Sequence, residues 1–285
     1  MLTDGMVPPL SSWAGLRLTQ PLVMGILNIT PDSFSDGGQH NIPSAAIAAG
    51  RRMLAEGADI LDIGGESTRP GATPLTAVEE KARILPVVEA LARDGAVISV
   101  DTRNTQTMAA ALDAGARIIN DVSALRHAPA ALALVAARHC PVVLMHMRGT
   151  PETMNSLATY ADFEKDVWNE LLAARNAAIG AGIAPEAICL DPGIGFAKKG
   201  EQNIILLRAI RRLASLGHPI LVGLSRKRFL GEISGMETPA RRDPESLAAA
   251  LFAVQQGAHI LRVHDVAGTA RALRVWQALN ARDDE

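Results

Sequence analysis

Short apolar runs recur along the chain with room for a helix between each pair. They are PLVMGIL (21–27), ADILDIG (58–64), AVISVD (96–101), RIINDVS (117–123), PVVLMHM (141–147), AICLDPG (187–193), PILVGLS (219–225) and HILRVHD (259–265). Their apolar residues are nearly continuous rather than alternating, as in parallel strands covered on both faces. Ala-rich, helix-favouring stretches lie between them, among them SAAIAAGRRMLAE, VEEKARILPVVEALA, DFEKDVWNELLAARNAAIGA and PESLAAALFAVQQ. Eight strand-then-helix units predict a closed (β/α)8 TIM barrel before an open sheet.

The connections carry an independent signal. Those entering strands are short, and several begin at a glycine suited to a helix C-cap: Gly57, Gly95, Gly115, Gly217 and Gly257. Those leaving strands are long, as in NITPDSFSDGGQHNIP, GESTRPGATPLT, RGTPETMNSLATYA and SGMETPARRDPE. Elaborated loops after the strands place the working face at the strands' C-terminal ends. No linker, repeat or low-complexity tract divides the chain, so residues 1–285 read as one domain. Residues 1–20 are expected to cover the barrel's lower end, and 281–285 to fray.

Polar groups end every run: Asn28, Asp62 with Glu66, Asp101, Asn120 with Asp121, His146, Asp191, Ser225 with Lys227, and Arg262 with His264. In a barrel they converge on one rim. Asp101 and Asp191 close strongly apolar strands, where an unpaired carboxylate is costly, so each should face a ligand, a cation or backbone donors. Arg262 and His264 alternate along the last strand and share a face, which suggests an anion. In GLSRKRF, Ser225 is expected to cap the following helix, whose N-terminus, with Arg226 and Lys227, favours negative groups. STRPGA adds Thr68 and Arg69 on a turn stiffened by Pro70 and Gly71. His146 reads as a hydrogen-bonded core residue and is left out of the site.

Composition narrows the rest. With 28 basic and 30 acidic residues the formal charge is −2, so nothing points to nucleic acid or an anionic membrane, and any bound anion must meet local cations. The two cysteines, Cys140 and Cys189, read as core residues of a cytoplasmic protein. No apolar stretch reaches the roughly 18 residues needed to span a bilayer, and the N-terminus lacks the pattern of a secretory signal. The histidines and cysteines show no zinc-ligand spacing, and there is no nucleophile elbow, Walker loop or dinucleotide fingerprint.

Six blocks in order, MGILNITPDSFSDGG, DILDIGGESTRPGA, ISVDTRN, IINDVSA, LDPGIGFAK and GLSRKRFLG, with RVHDV closing the last strand, resemble the dihydropteroate synthase family of folate biosynthesis. The likeness runs from about residue 22 to residue 268, and the first and sixth blocks are the most specific. It implies condensation of 6-hydroxymethyl-7,8-dihydropterin diphosphate with 4-aminobenzoate, giving dihydropteroate and pyrophosphate with Mg²⁺. Asp191 matches the carboxylate that accepts the pterin's amino and ring N–H pair, which one carboxylate can take bidentately. Asn120 and Asp101 match residues on the remaining ring nitrogens, and Lys227 the donor to the ring carbonyl. Met145, Phe196 and Val122 are the expected apolar walls.

The resemblance also implies that the C–O bond to diphosphate breaks largely before the amine attacks. Asp101 would then stabilise the pterin cation, with Arg69, Arg262, His264 and Mg²⁺ on the departing diphosphate. Asn28 matches the metal ligand. Thr68, Arg69, Pro70 and Phe34 would border the aminobenzoate pocket, with Ser225 holding the carboxylate, where sulfonamides should compete. The segments flanking the last strand form a homodimer in this family, so a dimer is expected by analogy. The rival readings are a pterin-binding methyltransferase barrel, which needs no anion cluster, and an inactive paralogue that only binds.

Overall fold

The computed structural model describes residues 10–30, 42–66 and 75–281. Phe34, Asp36, Gly37, Gly38, Thr68, Arg69, Pro70 and Gly71 lie outside the described residues. A small antiparallel hairpin, β1 (Ser12–Trp13) and β2 (Leu16–Arg17), precedes eight parallel strands. These are β3 (Leu22–Asn28), β4 (Ile60–Gly64), β5 (Ile98–Asp101), β6 (Ile118–Asp121), β7 (Val142–Met145), β8 (Ile188–Asp191), β9 (Leu221–Gly223) and β10 (Ile260–Val263). Each falls in or against one of the apolar runs. Strand order in the sheet is β8-β7-β6-β5-β4-β3-β10-β9, and a bridge from Leu190 to Ile220 joins its two ends, so the sheet is a nearly closed barrel.

The helices are α1 (Ile42–Glu56), α2 (Ala77–Arg93), α3 (Thr105–Asp113), α4 (Ala131–Arg138), α5 (Phe163–Gly180), α6 (Glu201–Arg208), α7 (Ile210–Ala214), α8 (Arg228–Ser234), α9 (Asp243–Gln255) and α10 (Val266–Asn280). Local chemistry sets their ends. Thr76 and Glu79 form a reciprocal capping box on α2, and Asp162 and Asp265 accept from backbone N–H groups at the starts of α5 and α10. Gly57, Gly95, Gly115, Gly217 and Gly257 all have φ between +77° and +109°, the left-handed turn that returns the chain to the sheet.

Alternate strand residues face opposite ways. Leu61, Ile63, Ile98 and Val100 point outward onto Ile84, Val87, Val88 and Leu91 of α2, all fully buried. Each such side chain contributes ~1.5–3 kcal/mol over exposure. Met24, Ile60, Ile118, Val143, Cys189, Leu221 and Ile260 point inward and fill the lower barrel. The hairpin seals that end: Trp13 packs into the same cluster and its Nε1 donates to Ala187 O at 3.0 Å. With the floor apolar and closed, the polar inward positions lie at the upper mouth.

Candidate active site

Strand register brings the mouth residues side by side. Asp62 pairs with Ser99, Asp101 with Asn120, and Met145 with Asp191, while Arg262 stands beside Met24 and Gly223. The Arg262 guanidinium enters the barrel, where Nε donates to Asp62 Oδ2 at 2.6 Å and Nη2 to Asp101 Oδ2 at 2.8 Å. Asn120 Nδ2 and Ser99 Oγ also donate to Asp62, at 3.1 and 2.6 Å. Burial pushes the Asp101 carboxyl up to about 7 against the pull of Arg262, while Asp62 and Asp101 hold the guanidinium above its ordinary range despite its burial.

A second group forms across the mouth. Asp191, 6% exposed, accepts from Gly193 N at 2.7 Å; burial raises its pKa, and that N–H together with Lys227, Lys198 and Arg262 oppose the rise. Lys227 Nζ donates to Ile194 O at 2.7 Å and lies 4.1 Å from the centre of the Phe196 ring. Its burial lowers the ammonium to about 8. A Cβ at Gly195, whose φ is +85°, would stand 2.9 Å from Lys227 Cδ, so the bare glycine lets the lysine lie over the loop. Phe196 packs on a buried cluster of Val122, Met145, Met147, Met154 and Ala197. The three apolar residues expected as walls therefore share one surface beside Asp191 and Lys227.

Three expectations need correction. Ser225 does not cap α8; its hydroxyl accepts from His264 N at 3.1 Å and pairs with His264 Nδ1 at 2.8 Å, because the turn places it beneath the end of β10. Arg226, at φ +59°, turns back to pair with Asp243 at 2.7 and 2.9 Å, so of the two adjacent cations only Lys227 faces the mouth. Arg262 is held between two carboxylates rather than turned wholly towards an anion. Asp62, Asp101 and Arg262 together carry a formal −1 when both acids are ionised. Asn28, half-buried, ends β3; its Oδ1 and Asp101 Cβ both lie 3.5 Å from where a Gly64 Cβ would be.

Sequence reasoning missed Lys198. It is 6% exposed, burial drives its pKa well below the ordinary lysine range, and its Nζ contacts three polar groups: His146 Nδ1 at 2.8 Å, Phe196 O at 2.8 Å and His146 O at 3.2 Å. With Nδ1 accepting, His146 Nε2 carries the proton and donates to Glu170 at 3.0 Å. Burial, then Lys198, pushes His146 down to about 4, while His146 and Arg148 hold Glu170 down at about 2. Glu66 and Asp121 are likewise engaged, Glu66 with Arg103 at 3.1 Å and Asp121 with Ser123 and Leu125 of the following turn.

A family model described as pterin binding enzyme matches residues 24–264. A dihydropteroate synthase of Neisseria meningitidis serogroup C is 48% identical over 267 residues, 93% of this chain and 94% of that protein. The chain belongs to the dihydropteroate synthase family. Solved structures agree: the Xanthomonas albilineans dihydropteroate synthase with 4-aminobenzoic acid superposes with a TM-score of 0.89 at 51% identity, covering 94% of this chain and 96% of the other. The same organism's enzyme in complex with 7,8-dihydropteroate has a TM-score of 0.85 at 48% identity, with the same coverage. As a family member the chain is a transferase. Among the described residues no three His, Cys, Asp or Glu side chains gather as a metal site, and no helix is long and apolar enough to cross a membrane.

Proposed function

We infer that this dihydropteroate synthase family member condenses 6-hydroxymethyl-7,8-dihydropterin diphosphate with 4-aminobenzoate to give 7,8-dihydropteroate and pyrophosphate. The observation that carries the reading at this chain's own site is the meeting of Asp191, Lys227 and the Phe196–Met145–Val122 surface at one mouth. Asp191 accepts the pterin's paired N–H groups, Lys227 donates to its ring carbonyl, and the apolar surface covers a ring face. Asn120 and Asp101 meet the remaining ring nitrogens.

Loss of diphosphate leaves positive charge on the pterin, and the Asp101 carboxylate stabilises it. The aminobenzoate amine is neutral and nucleophilic, so attack needs no strong base. Since Arg262 is shared with two carboxylates, the departing diphosphate is met chiefly by Arg69 and His264, with Arg262 at their side. Mg²⁺, when bound, neutralises diphosphate charge. Asn28 would hold it, and one neutral oxygen at the mouth suits an ion that keeps most of its water and phosphate ligands. Thr68, Arg69, Pro70 and Phe34 border the aminobenzoate, where sulfonamides compete. Ser225, bonded to His264, acts on the carboxylate side.

The enzyme works as a homodimer in the cytoplasm. Phe252 on α9 and Val275 and Leu279, one turn apart on α10, are 36%, 60% and 79% exposed, apolar surface that a second copy would cover. Both cysteines are free and buried, which suits a reducing compartment. Asp191→Asn and Lys227→Ala test the site assignment. Each should raise the KM for dihydropterin diphosphate by about tenfold or more, the loss of one charge-assisted hydrogen bond. An unchanged pterin KM in both would remove the assignment.

A further inference from the structure

Asp62 has no part in the contacts proposed above, yet three side-chain donors converge on it. It is 0% exposed; Oδ1 accepts from Ser99, and Oδ2 accepts from both Arg262 and Asn120. A salt-bridged carboxylate accepts hydrogen bonds and does not donate them. Asn120 must therefore turn its Nδ2 towards Asp62, which leaves its Oδ1 on the other side. Asn120 is 5% exposed, and among the described residues nothing donates to that oxygen. That oxygen is not closed off from solvent, so a donor on a ligand can reach it.

We propose that Asp62 is a positioning residue that sets Asn120 as a hydrogen-bond acceptor, so that this side of the pocket takes an N–H of the pterin ring. The same carboxylate holds Arg262 at Nε, so the ring contact and the cation beside Asp101 are oriented by one buried group. The inference rests on the pterin reading given above. It adds the polarity of the Asn120 contact and names the residue that imposes it.

An exchange of the two side chains tests it, with dihydropterin diphosphate as the probe and binding measured by calorimetry. Asp62→Asn lets the Asn120 amide turn over and should weaken binding by about tenfold; Asn120→Asp sets two carboxylates face to face and should do the same. In the double variant Asp62→Asn/Asn120→Asp, the new amide donates to the new carboxylate, whose second oxygen again faces the mouth as an acceptor. The double variant should bind at least about fivefold more tightly than either single one, a coupling expected of groups sharing one hydrogen bond. A double variant no tighter than the weaker single one would overturn the proposal.

Should Asp62→Asn fail to fold, side-chain amide exchange in the wild-type protein decides. Protons pinned on Asp62 are protected before ligand is added and are unchanged after it; rapid exchange that slows only on adding pterin would overturn the proposal. Wild-type binding separates the two levels. Its absence would count against the pterin reading, whereas wild-type binding without recovery in the double variant counts only against Asp62.

Discussion

Asp101 and Lys227 are both buried, and burial moves them in opposite directions because it disfavours whichever form is charged. The carboxyl rises to about 7 and the ammonium falls to about 8. Their proposed roles require both charged, Asp101 to stabilise a cation and Lys227 to donate. Raising pH ionises Asp101 and increases activity through about 7; raising it further deprotonates Lys227 and decreases activity through about 8. A narrow bell in kcat/KM for the pterin substrate is therefore expected, and Lys227→Arg should remove its alkaline limb, since a guanidinium stays protonated. A profile flat from about pH 6 to 9 would contradict the assignment of both groups.

The loop that leaves β8 shows how an element turns such residues into a site. Gly193 N donates to Asp191, Gly195 N donates to Asn203 Oδ1 at 2.7 Å, Tyr160 Oη donates to Ala197 O at 2.8 Å, and Lys198 ties Phe196 to the end of β7. Replacing Lys198 by Met strips a hydrogen bond from three acceptors at once. The expected loss is about 3 kcal/mol in denaturant unfolding, the scale for breaking a buried polar network. A higher pterin KM with an unchanged aminobenzoate KM should accompany it. His146 adds a pH signature: its folded pKa lies below its unfolded 6.5, so its contribution to stability is present above that value and is lost as pH falls towards about 4. The strands and their polar ends were legible from the chain because period and position decide them. Lys198 was not, since a lysine after Gly-Phe-Ala looks like any solvated side chain until the loop folds back on β7. Nor could adjacent Arg226 and Lys227 be told apart, because the positive φ that turns Arg226 to Asp243 leaves no mark in residue type. Ser225 likewise reads as a cap from its place before α8, and only the closeness of β10 redirects it.

At the scale of the whole molecule, a formal charge of −2 means that the diphosphate is met by local cations. The barrel serves this by closing its floor with Trp13 and gathering five strands' polar ends, Asp62, Asp101, Asn120, Asp191 and Arg262, with apolar Met145 beside Asp191, around one mouth. The exposed stripe of α10 belongs to the same scale. Val275→Glu with Leu279→Glu should convert a dimer to a monomer in sedimentation while each barrel keeps its melting behaviour; a wild-type protein that sediments as a monomer would remove the dimer. The most direct test of the central claim is pyrophosphate release from 6-hydroxymethyl-7,8-dihydropterin diphosphate by the purified protein, with and without 4-aminobenzoate and Mg²⁺. Mg²⁺-dependent release, with dihydropteroate formed when the amine is present, is the predicted result. Tight pterin binding with no release under any of these conditions would contradict the account.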